Sequence, residues 1–229
     1  MASYVVTGAG RGIGLELTAQ LLRRGDRVVA THRDAAGRRR LEAIAPRAGE
    51  LSLCRLDVRE EGSRRDLVEA LDGSAVDVVV NNAGIMGPAD QTIDAMSYGS
   101  WMEVLEVNVL GPFRVTVALL PNLRASTNPR VVTLSSIMGC LSRKSAGYYA
   151  YRSSKAAVNK VMQLLANELA GEGVIVCPVH PGWVQTDMGG LDAELPVHES
   201  AQGLIRLIDA LTLEHSGRFW QWDGTELPW

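Results

Sequence analysis

Short apolar runs rich in valine recur along the chain, at Tyr4–Thr7, Arg27–Thr31, Leu51–Leu56, Val76–Asn81, Arg130–Ser135 and Val174–Pro178. Each is nearly continuous. A strand with one face in water alternates polar and apolar residues, so unbroken runs predict strands covered on both faces, as in a parallel sheet. Between the runs the spacing becomes helical. Ile13, Leu17 and Leu21 follow one helical face, as do Leu67, Val68 and Leu71, and segments 99–120, 150–171 and 199–212 carry longer patterns of the same kind. This alternation predicts an α/β fold with a doubly wound parallel sheet, helices on both faces and right-handed crossovers. Ligands of such sheets bind at the carboxyl ends of the strands, so chemistry is expected in the turns that leave them.

Composition narrows the field. A chain of 229 residues suits a single domain over 1–229. The formal charge of -3, with both signs interspersed, predicts neither a nucleic-acid partner nor an acidic membrane surface. The first strand follows the N-terminus with no basic leader, and no apolar stretch reaches the roughly 18 residues of a membrane span. A soluble, cytoplasmic protein is expected. Cys54, Cys140 and Cys177 are odd in number and far apart, so they read as buried small residues rather than disulfides or metal ligands. No metal site is predicted. His32, His180, His198 and His215 lack ligand-like partners and read as turn or surface residues, and Arg38-Arg39-Arg40 reads as a solvated helix face.

The first strand ends in Thr7-Gly8-Ala9-Gly10-Arg11-Gly12-Ile13-Gly14, and a helical pattern starts at once. Glycine permits a tight turn and lets a pyrophosphate approach the backbone, while the helix N-terminus supplies positive potential. The context identifies a Rossmann-type dinucleotide site with Gly8, Gly12 and Gly14 as its frame. The second strand ends at Thr31-His32-Arg33-Asp34, where NAD-binding chains place an acid for the ribose hydroxyls. Arg33 comes first here, and its guanidinium could clamp a 2′-phosphate, with Arg11 within reach of the same group. The expectation is NADP(H), with NAD(H) open through Asp34.

Tyr151 and Lys155 lie four residues apart, on one face of a helix, in a chain with only three lysines. A nearby ammonium favours phenolate, so the pair predicts a tyrosine general acid whose pKa is lowered toward the working range. Tyr148 and Tyr149 have no lysine at that spacing and read as pocket wall or packing. Trp183, Met188, Leu191 and Leu195 read as either substrate wall or lid packing. Trp220, Trp222 and Trp229 read as packing against the sheet.

These features resemble the short-chain dehydrogenase/reductase family across essentially the whole chain. Besides the glycine turn and Tyr151–Lys155, the resemblance rests on Asp57-Val58, Asn81-Asn82-Ala83-Gly84, Asn108, Ser135-Ser136, and Pro181-Gly182 with Thr186. Tyr-Ala-Tyr-Arg before the lysine and the stretch Pro181–Gly190 look most similar to the C-factor-like carbonyl reductases of that family. The resemblance implies a catalytic set of Asn108, Ser136, Tyr151 and Lys155. Ser136 would hold the substrate oxygen, Asn108 would help a water reach Lys155, and Lys155 would also bind the nicotinamide ribose. It implies cofactor contacts at Gly8, Arg11, Gly12, Ile13, Gly14, Arg33, Asp57, Val58, Asn82, Ala83, Gly84, Tyr151, Lys155, Pro181, Gly182, Val184 and Thr186. The interval from Ser136 to Tyr151 exceeds the family's commonest spacing, which leaves Ser135 open as the substrate serine. A short lid near 187–198 implies an open pocket. The implied function is NADP(H)-dependent hydride transfer to or from a carbonyl or alcohol, by a homodimer or homotetramer packed through helices 99–120 and 150–171. The alternative is a cofactor-binding signalling or regulatory protein.

Overall fold

The computed structural model describes residues 1–44 and 48–229. Its sheet contains the six expected strands, β1 (Ser3–Val6), β2 (Arg27–His32), β3 (Glu50–Arg55), β4 (Val78–Asn81), β5 (Arg130–Leu134) and β6 (Ile175–His180). Two more follow, β7 (Phe219–Gln221) and β8 (Glu226–Leu227). The order is β3-β2-β1-β4-β5-β6-β7-β8, parallel except for the antiparallel β7–β8 pair. The chain reverses its winding between β1 and β4, the place where a doubly wound sheet opens a crevice.

Both faces are covered, as the unbroken apolar runs require. Val6, Val80, Val132 and Val179 meet α1 (Gly12–Arg24) and α8 (Val197–Ala210) on one side. Val5, Val79, Val131 and Val176 meet α3 (Glu61–Leu71) and α7 (Tyr149–Leu169) on the other. The helix α2 (Ala35–Ala43) follows β2, and its start docks on the glycine turn. A Cβ on Gly10 would stand 2.7 Å from Gly37 Cα, so Gly10 excludes a side chain, and one on Gly37 would be tight at 3.3 Å from Gly10 Cα.

Segment 99–120 is helical as expected, with a π-helical turn inside it. It divides into α4 (Tyr98–Leu105), a π-helical stretch Glu106–Leu110 and α5 (Gly111–Ala118), with α6 (Leu120–Arg124) after it. Pro112 in the first turn of α5 lacks the amide a continuous helix would use. π-helical turns gather at functional sites, and this one carries Asn108. The C-terminal tryptophans do pack on the sheet: Trp220 lies in β7, and Trp222 fills the space left by Gly203 and Gly182.

Candidate active site

At the carboxyl ends of β1, β4, β5 and β6 lies a cleft of about 380 Å³. The two turns that build it are bonded to each other. Thr7 Oγ1 accepts hydrogen bonds from the Asn82 and Ala83 amides at 3.0 Å each, and Asn82 Nδ2 donates to the Thr7 and Gly8 carbonyls at 2.8 and 3.0 Å. Gly8 is in the left-handed region at φ 62°, and a Cβ there would stand 2.9 Å from Ala83 Cα. The glycine turn is therefore shaped by its contact with the turn after β4 as well as by its own tightness.

The expected residues Gly8, Arg11, Gly12, Ile13, Arg33, Asp57, Val58, Asn82, Ala83, Gly84, Tyr151, Lys155, Pro181 and Thr186 all line the cleft. Gly14, Gly182 and Val184 do not. Gly14 packs beneath Asn82, Gly182 packs against Leu195 and Trp222, and Val184 is buried in a backbone bridge to Leu195. Met188 reaches the cleft, whereas Leu191 points to solvent and Trp183 ties its indole N–H to the Gly189 carbonyl at 2.8 Å.

One end of the cleft is cationic in a way that spacing did not show. Asp34 caps α2, accepting from the Gly37 amide at 2.7 Å, and that bond with nearby Arg33 and Arg40 holds its carboxyl below the usual range. Arg40, read as part of a solvated face, is exposed like Arg38 and Arg39, but it also lines the cleft and donates to the Gly10 carbonyl at 3.0 Å. Docking of α2 on Gly10 brings it there. Arg11 turns away from this end and meets Asp187 at 3.4 Å across the cleft mouth. Asp57 gives both carboxylate oxygens to Arg59, which keeps its pKa low and adds Arg59 to the lining. His32 and His180 are buried strand residues rather than surface ones, and neither Nδ1 has a partner. Burial pushes His180 down to about 4. Cys140 and Cys177 are buried as expected, but Cys54 is half-exposed.

At the other end Tyr151 and Lys155 leave α7 side by side, with Lys155 Nζ 5.6 Å from the centre of the phenol ring. Ser136 is buried close enough to Tyr151 to stabilise its phenolate form, and its Oγ accepts from the Met138 amide at 3.1 Å. Ser135 lines the cleft, with its hydroxyl donating to Asn159 Oδ1 and the Lys155 carbonyl at 2.5 and 3.4 Å, whereas Ser136 lies just behind the lining at the start of a three-residue 3₁₀ turn, Ile137–Gly139. Gly139 lies against the α7 backbone, where a Cβ would meet Lys155 C at 2.7 Å.

The expected lowering of the tyrosine pKa is absent. Burial pushes Tyr151 up to about 12, with Ser136 opposing it, and pushes Lys155 down to about 8. Desolvation dominates at both groups, and the lysine donates to the Leu134 carbonyl at 2.7 Å. Asn108 is likewise committed. Its Nδ2 donates to the Ile85 carbonyl and Ser154 Oγ, and its Oδ1 accepts from the Ile85 amide. Among the described residues no cluster of His, Cys, Asp and Glu could hold a metal ion, and no helix is long and apolar enough to cross a membrane.

A parallel doubly wound sheet with a glycine turn at one end of its crevice and a Ser–Tyr–Lys group at the other defines a dinucleotide-dependent oxidoreductase of the Rossmann type. The family model for short chain dehydrogenases matches residues 3–194, and the chain belongs to that family. It is 47% identical over 155 residues to the C-signal of Myxococcus xanthus, covering 67% of this chain and 93% of that one. Among solved structures, the carbonyl reductase Sniffer of D. melanogaster superposes with a TM-score of 0.92 at 29% identity, over the whole of both chains. An NADPH-bound carbonyl reductase from chicken fatty liver superposes with a TM-score of 0.91 at 30% identity, over 100% of this chain and 99% of that one.

Proposed function

We propose that this chain is an NADP(H)-dependent carbonyl reductase, and the observation that carries the reading is Tyr151 beside Lys155 in the same cleft as the glycine turn, with Ser136 next to the phenol. Several features of the cleft fit a dinucleotide. The glycine turn opens onto the N-terminus of α1, a Cβ on Gly12 would occupy space beside Thr186, and the far end offers Arg33 and Arg40 to a 2′-phosphate while Asp34 is spent as a cap. The NADPH bound by the chicken reductase supports the same preference. When bound, the nicotinamide supplies the hydride.

The protein's own part is to hold the carbonyl oxygen and deliver a proton. Ser136 and Tyr151 place two hydroxyl donors at one point, where negative charge gathers on the oxygen. With its pKa near 12, the phenol is protonated at neutral pH and serves as the acid for reduction. Lys155, near 8, is mostly cationic there and offsets the phenolate that remains. Asn108 and Lys155 share a gap at Gly84: a Cβ on that glycine would lie 3.3 Å from Asn108 Oδ1 and 3.8 Å from Lys155 Nζ. That gap suits the water assigned to Asn108, whose Oδ1 keeps one lone pair free of Ile85.

A signalling role is the second reading, favoured by the likeness to C-signal. The test is NADPH oxidation over a panel of ketones, aldehydes and quinones. Tyr151→Phe should lower turnover about 10²- to 10⁴-fold while still binding NADPH. If wild type and mutant behave alike, the catalytic reading fails; a biological effect that survives this mutation would then support signalling.

A further inference from the structure

Among the described residues between Asn82 and Glu103, Gln91 is the one that is buried, at 3% exposed. Ile93, the neighbour better suited to burial, is 79% exposed. Burying a carboxamide is costly unless its hydrogen bonds are replaced, and here they are. Nε2 donates to the Met86 and Pro88 carbonyls at 2.9 and 3.0 Å, and Oε1 accepts from the Tyr151 amide at 3.1 Å. An apolar residue would anchor this loop by packing; Gln91 anchors it by direction.

The Tyr151 bond falls where α7 lacks a cap. Tyr151 is the third residue of that helix, and Tyr148 before it is left-handed at φ 55° with no capping bond from its side chain. A helix-capping side chain ordinarily accepts from the second or third amide. Here the acceptor comes from Gln91, 60 residues upstream. Its other bonds hold the loop just past Ile85, which lines the cleft and is clasped by Asn108. One carboxamide thus joins the cleft wall to the backbone of the residue that bears the phenol.

We infer that Gln91 is a positioning residue for the reaction, setting the Tyr151 phenol against the cleft wall; this rests on the reading of Tyr151 as the proton donor. Misplacing a reacting group by about 1 Å can cost on the order of 10²-fold in rate. The test uses the full chain with Gln91→Met, similar in size but unable to make these bonds, and Gln91→Glu, which keeps the acceptor and, when protonated, one donor. In the Met variant kcat should fall about tenfold or more, with the KM for a ketone and the Kd for NADPH within about twofold of wild type. The Glu variant should recover kcat to within about threefold. Native-state hydrogen exchange at the Tyr151 amide should speed up about tenfold in the Met variant while the Asn159 and Met162 amides stay protected. An unchanged kcat with a lower Tm would overturn the inference, as would equal losses in kcat and NADPH affinity, which would mean that Gln91 merely holds the cleft together. If wild type reduces no carbonyl at all, the proposed function fails, and exchange at Tyr151 still decides whether Gln91 holds the start of α7.

Discussion

Replacing Lys155 by methionine should abolish turnover and, at neutral pH, remove a destabilising charge. Burial against the Leu134 carbonyl holds the ammonium down to about 8, from an ordinary 10.5. The gap, 10.5 minus 8, amounts to about 3 kcal/mol at roughly 1.4 kcal/mol per tenfold change. Because the folded value lies below the unfolded one, the folded protein favours the neutral amine. Stability from this residue is greatest above pH 10.5, falls as the pH drops toward 8, and is all lost by about pH 7. Methionine removes that dependence but leaves the Leu134 carbonyl without its donor, a cost of about 1–3 kcal/mol. The net change at pH 7 should therefore run from near zero to about 2 kcal/mol of added stability. The dependence on pH is cleaner, because the orphaned carbonyl does not titrate. Between pH 7 and pH 10 wild type should gain about 2.5 kcal/mol on the variant. Urea unfolding followed by tryptophan fluorescence at three pH values measures this. A difference that stays flat with pH would show that the ammonium is not desolvated, and the account of the site's electrostatics would be wrong.

Two further substitutions probe the ends of the cleft. Arg40→Met should raise the Kd for NADPH about tenfold while leaving that for NADH within about twofold, read from nicotinamide fluorescence. An equal effect on both would mean that Arg40 acts through the Gly10 carbonyl instead. Gly84→Ala has ordinary backbone angles and only a 3.3 Å contact to accommodate, so it should fold with little change in Tm. Its methyl group fills the gap shared by Asn108 and Lys155, and kcat should fall about tenfold; full activity would remove that gap from the mechanism.

Most of the sheet was legible because its signal is local. Six apolar runs, five of them containing valine, became six parallel strands, and the Tyr151–Lys155 spacing put both side chains at the cleft because one helix carries them. The short strands β7 and β8 were not legible: three and two residues long, they owe their form to pairing with β6 and with each other. The π-helical turn in segment 99–120 lies just before Pro112, yet the apolar period runs through it and masks the change of helix type.

What was not read at Arg40 and Gln91 has one cause. Arg40 resembles its solvated neighbours until Gly10 and Gly37 dock α2 on the glycine turn. Gln91 is a polar residue in a polar loop until its acceptor meets an amide 60 residues away. Spacing reports which side chains share an element; it is silent on partners supplied by another. The same holds for the acid itself. Four residues of separation correctly put Lys155 beside Tyr151 and wrongly implied a lowered phenol pKa, since the sign depends on how much water packing excludes from both. A buried phenol kept protonated beside a mostly cationic lysine suits the proposed role of proton donor. On the proposed reading, then, the local motif names the proton donor and the cation beside it, and the burial imposed by the surrounding fold keeps the proton on the phenol until charge gathers on the substrate oxygen.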